Sequence, residues 1–69
     1  MNNRGQYITQ RSALKLEIDA AERLLEAAHL KASTKDIVHL ETHMITLMYQ
    51  WQQVTALLYS DLRNALDPK

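Results

Sequence analysis

His39 and His43 stand four residues apart, so on a helix they share one face a turn apart. That is a spacing at which two imidazoles can grip one divalent metal, and Asp36 or Glu41 would add an oxygen from a neighbouring turn. Two imidazoles in a chain without Cys make a thin donor set, because structural zinc sites close with four N or S ligands. On a polar helix face the pair reads as solvated side chains, and no metal is expected. Ser12, Ser33 and Ser60 have no His and carboxylate arranged around them in a nucleophile pattern, and no Gly-rich phosphate loop is present. Catalysis also needs a concave pocket with a positioned acid, base or nucleophile, which two helices do not enclose. Neither an enzyme nor a cofactor is expected.

Nucleic acid is not an expected partner either. The 8 basic and 8 acidic residues give zero net charge. The bases are scattered from Arg4 to Lys69, and in the first half they alternate with Glu17, Asp19, Glu22 and Glu26, as on a solvated helix face. A DNA-reading helix needs cations to hold phosphates around it, and none flank His39, Thr42, His43 and Gln50.

The elements that carry these residues follow from composition and period. A 69-residue chain is one domain at most, and its core is marginal alone. Without Cys it has no disulfide to lean on, so a partner chain is the remaining source of stability. The single Gly5 and the single Pro68 lie at the two ends, and no alternating run of β-branched residues suggests a strand. The expected class is all-α.

Residues 1–8 read as a polar, frayed leader, and residues 9–69 as a single helical-hairpin domain. The first helix is expected over about residues 9–32. Its seam is Leu14, Ile18, Ala21, Leu25, Ala28 and Ala32, spaced 4, 3, 4, 3 and 4 as in a left-handed helix pair. The second is expected over about residues 34–66, with Asp67-Pro68-Lys69 as its stop. Its seam is Ile37, Leu40, Met44, Leu47, Trp51, Val54 and Leu58. Phase separates the two. Carrying the first seam past Ala32 gives Lys35, His39, Thr42, Thr46 and Tyr49, which are mostly polar, so the apolar face jumps. Ser33 is placed as an N-cap, with Asp36 three residues later and Ala32 and Ile37 as staple residues. A loop this short makes the helices antiparallel neighbours, joined along a coiled-coil-like seam.

Thr42 to Ser60 holds no Asp, Glu, Lys or Arg, but His43, three Gln and several Thr make it too polar for a membrane span. Met1 to Gln6 lacks the apolar run of a signal peptide, so a cytoplasmic location is expected.

Each helix is apolar over a wider arc than one neighbour covers. Off its seam the first helix shows Leu16, Ala20, Leu24 and Ala27, among others, and the Ala residues would allow close backbone approach. The second, besides Val38, shows Ile45, Met48, Leu57, Tyr59, Leu62 and Leu66; Leu16, Ala20, Leu24 and Ala27 of the first helix and these six of the second are singled out. These are the candidate partner-binding residues, because exposed apolar patches mark interaction surfaces. Trp51 belongs with them as a residue type that anchors interfaces, although its seam position, like that of Met44, favours core.

The whole plan resembles the small partner chaperones of type III secretion needle subunits. The resemblance rests on the short Cys-free chain and on Leu24-Leu25-Glu26-Ala27-Ala28 in the first helix. In the second helix it rests on Tyr49-Gln50-Trp51-Gln52-Gln53 and Val54-Thr55-Ala56-Leu57-Leu58-Tyr59. The turn Lys31-Ala32-Ser33-Thr34 departs from that plan in having neither Gly nor Pro. The resemblance implies a cytoplasmic helical hairpin that packs on a larger chaperone and helps keep a secretion substrate soluble. The alternatives are a self-associating chain, as a homodimeric four-helix-bundle regulator, or a phage or plasmid assembly protein.

Overall fold

The computed structural model describes residues 3–66 as two helices, α1 (Arg4–Leu30) and α2 (Thr34–Leu66), folded against each other into an antiparallel hairpin 56 × 15 × 14 Å. Among the described residues there is no strand. The stop expected at residues 67–69 lies outside them.

The two seams meet as their spacing requires. Ile18 and Ala21 of α1 close on Met44 and Leu47 of α2, and Leu14, Leu25 and Trp51 pack around this cluster. Ala28 and Leu58 are buried nearer the two ends. The core is thin. Among the described residues even the most enclosed side chain, Ala21, keeps 3% exposure, and no large side chain is fully enclosed. Two helices can bury one stripe each and no more.

The first helix starts earlier than the sequence reading places it. Residues 4–8, expected in the leader, are helical, and the Tyr7 amide donates to the Asn3 carbonyl at 3.0 Å. Two things carry the helix back to Arg4. Gly5 sits in the first turn, where it interrupts no established hydrogen-bond ladder. The seam spacing also continues back from Leu14 through Arg11, Tyr7 and Arg4, all half-buried against α2. At this open end Arg4 Nε donates to Asp61 Oδ2 at 2.9 Å, joining the first turn of α1 to the far end of α2.

At the closed end, α1 stops in a Schellman motif. The Ser33 amide donates to the Ala28 carbonyl at 3.2 Å and the Ala32 amide to the His29 carbonyl at 3.1 Å. This geometry places Ala32 in the left-handed region, at φ 54°. Ala32, expected as the last seam residue and as the staple partner of Ile37, is therefore exposed in the turn. Ser33 takes the position expected of it: its carbonyl accepts the Ile37 amide at 3.0 Å as α2 begins.

Candidate protein-binding surface

The seam of α2 is not its only heptad pattern. Rotated about 100° from it, one residue along the chain, runs a second series with the same alternating spacing of 3 and 4. It comprises Val38, Glu41, Ile45, Met48, Gln52, Thr55, Tyr59, Leu62 and Leu66. Its apolar members are exposed: Val38 by 59%, Ile45 by 68%, Met48 by 40%, Tyr59 by 64%, Leu62 by 40% and Leu66 by 87%. A helix with two such seams faces a neighbour on each. Here α1 occupies one seam, and the other is a continuous outer stripe.

The structure divides the residues picked out in the sequence between two faces. Ile45, Met48, Tyr59, Leu62 and Leu66 share the α2 stripe. Beside Met48 the hairpin is bounded by a charged edge of α1, where Lys15 and Glu22 line the open groove with Trp51 and Gln52. There Lys15 Nζ donates to Asp19 Oδ1 at 3.1 Å. Leu24 and Ala27 open on the opposite face, in a shallow groove with Asp36 and His39 near the turn. Ala20 is exposed and follows the same row of α1, while Leu16 stands 70% exposed on its outer side. Leu57 lies on the flank of α2 away from the stripe, 51% exposed. One partner helix therefore reaches the α2 stripe but not the Ala row of α1.

Trp51, read both as core and as anchor, packs on the core cluster. The Arg11 guanidinium lies 4.7 Å from its ring centroid, and its edge borders the grooves on the stripe side.

Arg4, Tyr7, Arg11 and Asp61 are seam residues that an apolar period does not single out. Only the spacing marks them: carried back from Leu14 it reaches Arg11, Tyr7 and Arg4, and carried three residues past Leu58 it reaches Asp61. Thr55 is not singled out either. Its hydroxyl is buried without a hydrogen-bond partner, whereas Thr9, Thr42 and Thr46 each bond the carbonyl four residues back. His39 and His43 are both exposed. Among the described residues no three His, Cys, Asp or Glu side chains gather as metal ligands, and no helix is long and apolar enough to cross a membrane.

Compared with known proteins, the chain matches no family model, no curated protein and no solved structure.

Proposed function

We propose that this chain is a non-catalytic protein-binding module that works by laying the outer stripe of α2 against a helix of another chain. The observation that carries the reading is the second heptad series on α2, with six exposed large apolar side chains on one stripe. Fully burying a large apolar side chain contributes about 1.5–3 kcal/mol, so a stripe of this size matters greatly to so small a domain. Met, Tyr and Leu at helical spacing suit helix-in-groove packing, and Met48 can adapt to an irregular partner.

The role that fits this module is that of a small cytoplasmic partner chaperone, as the likeness to the type III secretion needle chaperones implies. Its support is the short Cys-free hairpin, the Leu24–Ala28 segment and the Tyr49–Tyr59 segment. In that role the hairpin completes a larger chaperone and helps keep a secretion substrate soluble before export.

The test is Met48→Asp and Leu62→Asp, compared with the unaltered chain by circular dichroism and by binding to a larger chaperone of the needle-subunit kind. Both variants are expected to keep the helicity of the dilute chain and to lose the complex. If both unfold the dilute chain, the stripe belongs to the hairpin's own core and the reading fails.

A further inference from the structure

We propose that in the isolated protein the α2 stripe is occupied by a second copy of this chain, antiparallel, with Met48 of one copy level with the partner's Tyr59. The inference rests on the reading of that stripe as a protein interface and names its occupant.

Its first support is area. The chain exposes 5632 Å². A compact monomer of 8.0 kDa would expose about 4,450 Å² by the usual scaling of surface with mass. The excess, about 1,200 Å², is more than the roughly 800 Å² that each partner contributes to a standard interface.

Its second support is self-complementarity along the stripe. From Ile45 to Leu62 the series reads apolar, apolar, polar, polar, apolar, apolar: Ile45, Met48, Gln52, Thr55, Tyr59, Leu62. That order is the same in both directions. Two copies turned end for end about a two-fold axis between residues 53 and 54 bring each of these six layers onto one of its own kind, with Glu41 opposite the partner's Leu66 beyond them. Ile45 meets the partner's Leu62, Met48 meets the partner's Tyr59, and Gln52 meets the partner's Thr55. The same three contacts then repeat on the other side of the axis, as an isologous interface requires. Sliding the copies by one heptad either way sets Gln52 against a large apolar residue, Met48 or Leu62, where the proposed register sets it against the smaller, half-buried Thr55 and leaves its amide room to reach water. The central polar layers thus act as a register device of the kind known in coiled coils.

Charge points the same way. Glu41 is the one charged residue of the stripe, and Arg63 is exposed one row away from it. In the antiparallel register Glu41 comes within one helical turn of the partner's Arg63. A parallel, in-register pair would instead stack Glu41 on the partner's Glu41 and align both helix dipoles, each unfavourable.

The test uses the full chain, in which any introduced Cys is the only one. Sedimentation at about 50 µM, well above the Kd range of a specific dimer, is expected to give twice the monomer mass. Leu62→Asp, which buries a charge against the partner's Ile45, is expected to weaken the dimer by about a hundredfold or more. Register is read with Met48→Cys and Tyr59→Cys. Mixed and mildly oxidised, the two variants are expected to form the mixed disulfide. Each alone is expected to stay largely unlinked, because like positions lie 11 residues apart along the axis, about 16 Å.

Linkage of Met48→Cys to itself would show a parallel pair and overturn the proposal. A monomeric chain whose stripe binds a hydrophobic dye would also overturn it, while leaving the stripe as an interface for a different chain. A monomeric chain that binds no dye would overturn both this proposal and the interface reading beneath it.

Discussion

Arg4 and Asp61 are 57 positions apart in the chain, yet Arg4 Nε donates to Asp61 Oδ2 at 2.9 Å and closes the open end of the hairpin. Both side chains keep about a third of their surface, at 33% and 30%, so water screens the pair and its net worth is modest. A double-mutant cycle with Arg4→Ala and Asp61→Ala is expected to give a coupling of about 0.5–1 kcal/mol. The coupling should shrink as salt is raised. Chemical denaturation at fixed protein concentration measures it. A coupling of zero would mean that the Arg4–Asp61 pair does not hold the open end together.

The Arg11 guanidinium sits 4.7 Å from the Trp51 ring centroid, the distance of a cation–π contact. Arg11→Ala is expected to cost about 0.5–1.5 kcal/mol, combining the lost contact with the lost cover of the arginine stem. Trp51 is the only Trp in the chain, so its emission reports this site alone. The variant should shift the emission to longer wavelength as water reaches the ring, and Arg11→Lys should shift it less. Unchanged emission in both would show that Arg11 does not shield the ring.

These two contacts mark where the sequence stops being legible. The middle of the hairpin reads directly: Ile18, Ala21, Met44 and Leu47 are apolar, correctly spaced and buried together. The turn reads through phase, because the seam of α1 has no apolar continuation past Ala32. The open end does not read, because its seam positions are filled by Arg4, Tyr7, Arg11 and Asp61. Their value lies in charge pairing and ring stacking across a gap, and an apolar period carries no trace of either. The candidate site reads only in part. Exposed apolar residues were visible as a set, but their division between faces depends on where α1 docks. That docking puts Ile45, Met48 and Leu62 on one side and Leu24 and Ala27 on the other.

Ala32 adopts φ 54° to close the Schellman motif, a conformation that costs a residue with a Cβ about 1–2 kcal/mol. Ala32→Gly removes that strain and gives back part of the gain through a freer unfolded chain. The net expectation is a stabilisation of about 0.5–1 kcal/mol, seen as a melting temperature higher by a few degrees. Ala32→Val should move it the opposite way, because a branched side chain is worse still at positive φ. A destabilised Ala32→Gly variant would mean that the turn does not hold this geometry in solution.

Thr55 holds a buried hydroxyl without a hydrogen-bond partner. Thr55→Val keeps the shape and removes the polar atom, so it should stabilise the hairpin by about 1 kcal/mol. The clean measurement is made in the Leu62→Asp background, where the stripe cannot associate and only the hairpin reports. A loss of stability there would show that the hydroxyl has a partner in solution.

Leu47 and Leu16 separate what the hairpin buries from what it leaves out. Leu47 is 5% exposed at the centre of the core, and Leu16 is 70% exposed on the outer side of α1. Leu47→Ala removes a buried isobutyl group and opens a cavity that rigid helices only partly close, at a cost of about 2–5 kcal/mol. That is comparable with the entire margin of a domain this small, so the variant is expected to be largely unfolded when dilute. Leu16→Ala trades one exposed residue for a better helix former, and a change within about 0.5 kcal/mol is expected. Circular dichroism on both variants, dilute enough to suppress association, decides the matter. If Leu16→Ala unfolds the chain as Leu47→Ala does, Leu16 is covered in solution, and the outer side of α1 then belongs to an interface rather than to solvent.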